Sequence, residues 1–287
     1  MNYNGDNIDK LRKSIQSSRR RLQPYREKRV RAIREFVGRN YSDSGSRDRV
    51  PVNMLELFIS TYSRQLVGNK PHVNVRGRTA VIAPQAAKLE LALNHVLGEM
   101  QVAKTLRLAV IDALFSIGII KVGVTEPRQA AMRGFLHDGG QPFAETVDLD
   151  DWVHDMNARD LTECGYMGHR FRVPIEALRE SDLYRNPQDI PEVRKTMYNS
   201  DGDVRAAAIG QSDVYSGAQS SDMAELWEIW LPTENKICTF AAGENGMPER
   251  KIREIEWDGP EAGPYHFLSF TDVPGNTMPL PPVASLI

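Results

Sequence analysis

The residues best suited to chemistry form an acidic run with one histidine, Asp148, Asp150, Asp151, His154 and Asp155, followed by Asp160. A metal-dependent nuclease or phosphodiesterase needs two or three carboxylates around a divalent cation, and a histidine could activate water there. Neighbouring side chains of an extended segment point to opposite faces, so only alternate members of the run could converge. Aspartates are equally common in turns. The sequence therefore favours an ordinary acidic turn and leaves a metal-dependent hydrolase as an alternative.

Other catalytic motifs are missing from the sequence. The six histidines are scattered without HExxH spacing, and no GxSxG, Walker-type or GxGxxG motif occurs. The two cysteines, Cys164 and Cys238, lie far apart and match neither a zinc site nor a disulfide framework, so we expect two buried packing residues. We therefore expect no enzyme, no catalytic residue, no metal and no cofactor.

Basic residues are concentrated in the first 49 positions, which hold 14 Lys/Arg and 6 Asp/Glu. The remaining residues hold 22 Lys/Arg and 32 Asp/Glu, so a +8 arm precedes a −10 body. Arg19, Arg20, Arg21, Lys28 and Arg29 are candidate contacts for an anionic partner. Such a patch suits nucleic acid, which makes a DNA-binding adaptor a further alternative. It equally suits a solvated helix face or one that pairs with an acidic neighbouring subunit.

Length and composition limit the class of protein. The chain has 287 residues, of which 41% are hydrophobic and 26% charged, with a net charge of −2. These values are typical of a folded protein with one large or two modest domains. No uncharged run approaches the about 18 apolar residues that a membrane span requires, so we expect no membrane contact.

Hydrophobic spacing predicts the elements of the first half. A helix over 6–37 is interrupted at Pro24, a second helix follows Pro51 with Asn53 as its cap, and His72–Arg76 alternates like a strand. A third helix over 82–101 has one apolar face, whose members are Ala86, Leu89, Leu93, Val96, Leu97 and Met100. A buried helix over 103–117 then runs through Gly118 into a strand over 119–124.

The second half reads as α+β. We predict strands over 163–173, 223–231, 236–241 and 251–257, the last three joined by antiparallel hairpins. Short helices are predicted over 175–180 and 183–199, and a flexible insertion over 200–222. The expected fold is therefore α+β, with a helical N-terminal part followed by a mixed or antiparallel sheet region. The expected regions are a basic arm (1–50), a helical region leading into a core strand (51–127) and an α+β region (128–287).

Several stretches resemble the portal proteins of tailed bacteriophages, the head-to-tail connectors. They are RAIREFVGRNY (31–41), RVPVNMLELFISTYSRQLVGNKPHVNV (49–75), TLRLAVIDALFSIGIIKVGV (105–124), VDLDDWVHDMNARDLTECGYMGHRFRVPIEAL (147–178) and MPLPPVASLI (278–287). The resemblance is one of local pattern and spans most of residues 25–287. It implies a portal-wing-like fold, and that the stem, clip and crown lie after Ile287.

The resemblance also implies a structural function. Portal subunits form a ring, usually of twelve copies, at one vertex of the capsid, assembled in the host cytoplasm and present in the virion. The ring is the channel for double-stranded DNA during packaging and ejection. It docks the terminase packaging motor, contacts the major capsid protein and later holds tail adaptor proteins. A ring needs two unlike, complementary faces, and a basic arm with an acidic body could supply them.

Overall fold

The computed structural model describes residues 7–37, 54–125, 140–191, 223–243 and 245–285, and these form an α+β fold, which confirms the predicted class. Asn53 and the 200–222 insertion lie outside the described residues. The helices are α1 (Ile8–Phe36), α2 (Met54–Val67), α3 (Ala83–Glu99), α4 (Val102–Phe115) and α5 (Ile175–Arg179). The strands are β1 (Gly118–Val124), β2 (Pro142–Thr146), β3 (Trp152–His154), β4 (Met167–Pro174), β5 (Met223–Leu231), β6 (Lys236–Ala242), β7 (Pro248–Glu256) and β8 (Tyr265–Leu268).

The strands form two antiparallel sheets. The smaller sheet has the order β2-β1-β8, and the larger has the order β3-β4-β5-β6-β7. Hairpins join β5, β6 and β7 as predicted, with Asn235 in the left-handed conformation at the first turn. Because the strands of the larger sheet alternate in direction, β3, β5 and β7 all end at the same end of the sheet.

Helix α1 packs across one face of the larger sheet. Its N-terminal half contributes Leu11 and Ile15 to a core cluster with Trp227, and Leu22 joins a second cluster around Trp152. Four of the buried positions are separated by three or four residues (Leu11, Ile15, Ser18 and Leu22), which places them on one side of the helix. One long helix therefore covers most of the sheet.

Pro24 does not interrupt α1, so the predicted break is wrong. A proline inside a helix lacks one backbone hydrogen bond and costs about 3 kcal/mol in an isolated helix. After Pro24, buried Arg26 and Arg29 bind the segment that leads into β3, at Leu149, Trp152 and Asp148. Tertiary contacts thus outweigh the local cost.

The predicted passage from a buried helix into a strand is confirmed. Helix α4 buries Ala109, Ala113 and Leu114, and the chain then enters β1 at Gly118. A Cβ atom at Gly118 would collide with the carbonyl oxygen of Ala109. Glycine is required here because the helix and the strand lie against each other at their junction.

Residues 72–76 do not form a strand, contrary to the prediction. The side-chain amide of Asn94 on α3 accepts from the backbone N–H of Val73 and donates to the Val73 carbonyl, both at 2.9 Å. Glu90 accepts from the N–H of Val75 at 3.1 Å. The segment has the alternating sequence of a strand, but helix side chains take the place of a strand partner.

Two further boundaries differ from prediction. In the described part of 183–199, which ends at residue 191, only a 3-10 turn forms, at Pro187–Asp189. The predicted strand over 163–173 begins later, at Met167, because Leu161–Glu163 forms a 3-10 turn capped by the Asp160 side chain. A polar side chain thus fixes the second boundary, where hydrophobic spacing was ambiguous.

Both cysteines are buried and free, as predicted. Burial raises the pKa of the Cys164 thiol to about 12, reinforced by the negative charge of Asp155. Burial also raises the pKa of Cys238, to about 11. Thiols in this state are poor nucleophiles and behave as small apolar groups.

A buried ion pair connects the two sheets. Lys121 on β1 and Glu228 on β5 are nearly inaccessible, and Lys121 Nζ lies 2.5 Å from a Glu228 carboxylate oxygen. The Lys121 ammonium also lies 5.7 Å from the ring centre of Phe143 on β2. The pair fixes how the small sheet sits on the large one.

Replacing one member of this pair should be more harmful than replacing both. Lys121→Met leaves a buried carboxylate without its cation and should lower the free energy of unfolding by about 3–5 kcal/mol. Adding Glu228→Leu should recover part of that loss, because no uncompensated charge remains. Urea unfolding of the two variants measures the difference. A double variant less stable than Lys121→Met would contradict this account.

Candidate functional site

The basic residues of α1 are divided between its two sides. Arg26 and Arg29 point into the protein and are buried, whereas Arg20, Arg21 and Lys28 are exposed. Arg19 lies between these groups and is half-buried. The five residues predicted to meet an anionic partner therefore do not form one surface.

Arg29 is the centre of a buried charge cluster. Its guanidinium contacts Asp148 at 2.6 Å, Asp112 on α4 at 3.0 Å and Asp150 at 3.7 Å. Burial alone would lower the pKa of Arg29, but the three carboxylates outweigh burial and raise the pKa above its ordinary value. The guanidinium is permanently charged and fully engaged. The prediction that Arg29 contacts an external anion is therefore wrong.

Arg26 holds the backbone beside this cluster. Its Nε donates to the Leu149 carbonyl at 3.1 Å and its Nη2 to the Trp152 carbonyl at 3.0 Å. The two arginines together clamp the turn between β2 and β3 against α1. Sequence reasoning missed Arg26. The signal was present, because Leu22, Arg26 and Arg29 continue the spacing of the buried face.

The acidic run forms a turn, as its composition favoured. The backbone N–H of Asp151 donates to the Asp148 carbonyl at 3.1 Å, and that of Asp150 donates to the Asp148 carboxylate at 3.0 Å. Asp151 in turn accepts from Arg170 on β4 at 2.8 Å. The carboxylates are thus committed to arginines and backbone groups of the same chain.

His154 is fully buried, and its hydrogen-bond partners are not the carboxylates of the acidic run. Its Nδ1 accepts from the indole N–H of Trp152 at 2.9 Å, and its Nε2 lies 2.8 Å from the Thr277 hydroxyl. Burial, followed by the positive charge of Arg21, lowers the pKa of His154 to about 3. A neutral, enclosed imidazole is suited to positioning the 275–278 segment.

Within the described ranges, no three His, Cys, Asp or Glu side chains come together in a way that could hold a metal ion. The residues proposed for a hydrolase site face different partners instead. Asp148 and Asp150 face Arg29, and His154 faces Thr277. The described geometry therefore offers less support for metal-dependent hydrolysis than the sequence alone did.

The exposed side of α1 borders an open groove of about 520 Å³. Arg21 and Lys28 stand on one wall with Pro24 and Tyr25 between them, and the 275–277 segment forms part of the opposite wall. Arg21 donates to the Asn157 side chain at 2.9 Å, and Asn276 donates to the Tyr25 hydroxyl at 3.2 Å. We call this the α1 groove. It combines two cations with a mixed polar and apolar lining.

Arg19 has a different environment. Its guanidinium lies 5.8 Å from the ring centre of Trp227, which is itself buried, and its Nη1 lies 3.5 Å from the Met247 sulfur. Arg20 is exposed. Of the predicted contacts, Arg20, Arg21 and Lys28 are therefore the ones accessible to a partner, and Arg19 serves mainly to cover the sheet.

Helix α3 buries none of its side chains completely, although Ala86, Val96 and Leu97 of its predicted apolar face are half-buried. Five large apolar side chains on α3 and the 3-10 turn before it (Ala80–Ile82) are exposed, at 81% for Val81, 74% for Leu91, 51% for Leu89, 45% for Ile82 and 37% for Leu93. We call these five residues the α3 apolar surface. Leu91 lies on a different side of the helix from Leu89 and Leu93, which are one turn apart. Helices that are apolar on several sides are typically covered on several sides.

Compared with models of known protein families and with curated protein sequences, the chain matches none. Among the described helices, none is both long and apolar enough to cross a membrane. Function must therefore be argued from the contacts and surfaces described above.

The Arg29 cluster should be essential for stability. Arg29→Met leaves three carboxylates without their shared cation and should lower the free energy of unfolding by about 3–5 kcal/mol. Arg31→Met, an exposed change on the same helix, should shift it by no more than about 0.5 kcal/mol. Urea unfolding followed by circular dichroism compares the two. Equal losses of unfolding free energy in the two variants would show that the buried cluster contributes no more to stability than an exposed arginine does.

The buried imidazole of His154 should make stability depend on pH. The unfolded chain takes up a proton near pH 6.5, whereas the folded chain resists protonation until about pH 3. The contribution is therefore present above pH 6.5 and is lost as the pH falls toward 3, by at most about 1.4 kcal/mol per pH unit. His154→Gln should remove this part of the slope between pH 6 and 4, and the exposed change His266→Gln should keep it. Identical slopes in wild type and His154→Gln would refute the assignment.

Proposed function

We propose that the chain is a structural subunit that assembles with copies of itself into a ring, as the portal protein of a tailed bacteriophage does. It would form part of the wing of a ring at a capsid vertex, through which double-stranded DNA is packaged and ejected. Its partners would be other copies of itself, the major capsid protein, tail adaptors and the terminase motor. In this proposal the chain performs no catalysis.

The α3 apolar surface is the observation that carries the proposal. Five large apolar side chains are exposed on α3 and the turn before it, and α2 exposes Met54, Leu57, Tyr62 and Leu66 as well, while the sheets enclose well-formed core clusters. Because Leu91 lies on a different side of α3 from Leu89 and Leu93, this exposure indicates contacts on more than one side of the helix rather than a single patch. A ring subunit has such surfaces by necessity, because each copy is covered by its neighbours.

Charge and local sequence add support. The first 49 residues carry +8 and the rest −10, so one subunit contains both members of a complementary pair of surfaces. A net-acidic body also suits a conduit for DNA, since each neutralised phosphate would increase salt-dependent retention of the polyanion. The stretches at 105–124 and 147–178 that resemble portal proteins contain the α4–β1 passage and the Arg29-clamped turn.

Two alternatives make different demands. A metal-dependent nuclease needs free carboxylates, but Asp148, Asp150 and Asp151 are engaged by Arg29 and Arg170. A DNA-binding adaptor is favoured only by the exposed cations of α1, among them Arg20 and Lys28. Neither alternative gives a reason for the α3 apolar surface, which assembly does.

Assembly is tested directly on the purified chain. Mass photometry and negative-stain images should show closed rings, and Leu91→Glu should raise the protein concentration needed for half-assembly about tenfold or more, because a charge enters an apolar contact. The matched control is Val124→Glu, another exposed apolar residue on β1, which should leave assembly unchanged. A wild-type chain that stays monomeric at all concentrations would refute the proposal.

A further inference from the structure

The groove beside α1 and an acidic loop lie at opposite edges of the larger sheet. The loop connects β7 to β8 and exposes Glu256, Asp258 and Glu261. The groove adjoins the segment after β3, whose Met156 and Ala158 help to line it. Strands β3 and β7 are the two edge strands and end at the same end of the sheet. Four strand spacings, roughly 19 Å, separate these edges.

The two features are complementary in charge. Arg21 and Lys28 are seven residues apart on α1, so they lie on the same side of the helix about 10.5 Å from each other along its axis. The loop carries three carboxylates within six residues, and residues 254–265 contain no Lys or Arg. The two cations of the α1 groove could therefore pair with the three carboxylates of the acidic loop.

The acidic loop has a fixed shape. The Trp257 indole N–H donates to the Pro260 carbonyl at 2.8 Å, and the Gly263 N–H donates to the same carbonyl at 2.9 Å. The side-chain amide of Asn235 donates to the Trp257 carbonyl at 2.8 Å. A loop ordered before contact loses less conformational entropy on binding. The backbone that carries its three carboxylates is therefore already ordered before a partner binds.

We propose that the acidic loop 256–261 of one copy docks in the α1 groove of the next copy. The proposal rests on the ring assembly proposed above and names its electrostatic contact. The donor and acceptor surfaces differ and lie on opposite edges, so the contact is head-to-tail, the arrangement that closes into a ring when the rotation between copies permits. Ionic contacts at the rim of such an interface mainly set register and partner choice.

A second copy fits the groove better than a nucleic acid does. Beside its polar residues the groove contains Pro24, Tyr25, Met156 and Ala158, apolar contacts that a phosphate backbone does not require. A DNA site neutralises a series of backbone phosphates with several cations, but the groove presents two, Arg21 and Lys28. The body of the chain carries −10 and would repel a polyanion brought close to it.

Charge reversal with rescue tests the contact in the 287-residue chain. Arg21→Glu with Lys28→Glu should raise the concentration for half-assembly about tenfold or more, and Asp258→Lys with Glu261→Lys should do the same, because like charges then face each other. Combining all four changes should restore assembly to within about threefold of wild type, since the pairing is re-established with reversed sign. Mass photometry over a concentration series measures each case.

A matched control separates the contact from net charge. Lys13→Glu with Arg185→Glu reverses two exposed cations elsewhere and should leave assembly unchanged. Circular dichroism melting checks that every variant is folded. Rings that form equally well with either reversal would overturn the docking proposal and leave the ring proposal standing, whereas a monomeric wild type would overturn both.

A nucleic-acid site would give a different outcome. If Arg21→Glu with Lys28→Glu leaves rings intact but abolishes retention of a double-stranded DNA oligonucleotide in a gel-shift titration, the groove is a phosphate site. That result would overturn docking of the acidic loop.

Discussion

Arg29 can occupy the interior only because three carboxylates from two separate segments meet it there. A guanidinium taken out of water without such partners would cost far more than a fold of this size can tolerate. Asp112 arrives on α4, and Asp148 and Asp150 arrive on the turn between β2 and β3. The cluster therefore joins the long helix, the buried helix and the sheet region at one point, and the positions of α1 and of both sheets depend on it.

The same constraint explains the surfaces that remain available to partners. Once Arg26 and Arg29 hold one side of α1 against the sheet, the opposite side presents Arg20 and Lys28 to the outside. Asp148 and Asp150 of the acidic run are drawn inward by the same pairing. What reads along the chain as a basic arm and an acidic run becomes, in three dimensions, a neutralised core and a separate basic face.

Much of the fold follows from local pattern. The α4–β1 passage, the hairpins of β5 to β7 and the short α5 helix were predictable, because hydrophobic spacing, glycine and proline act over a few residues. The absence of a strand at 72–76 was not predictable, since the sequence alternates as a strand does but Asn94 and Glu90 of α3 bind the backbone of the segment. The break predicted at Pro24 failed for the converse reason. Contacts of Arg26 and Arg29 with residues distant in sequence hold the helix together across the proline.

At the candidate site, the sequence predicted residue types and local structure but not which side chains are buried. Residue order determined the α+β class, the excess of cations in the first 49 residues and the turn-forming nature of the aspartates. Only the tertiary structure decided which cations are buried, because that depends on carboxylates more than 80 positions away from Arg29. It also decided that Leu89, Leu91 and Leu93 of α3 are exposed. Local spacing specifies that a helix has an apolar side, whereas the neighbours that cover or expose that side are brought together by the fold.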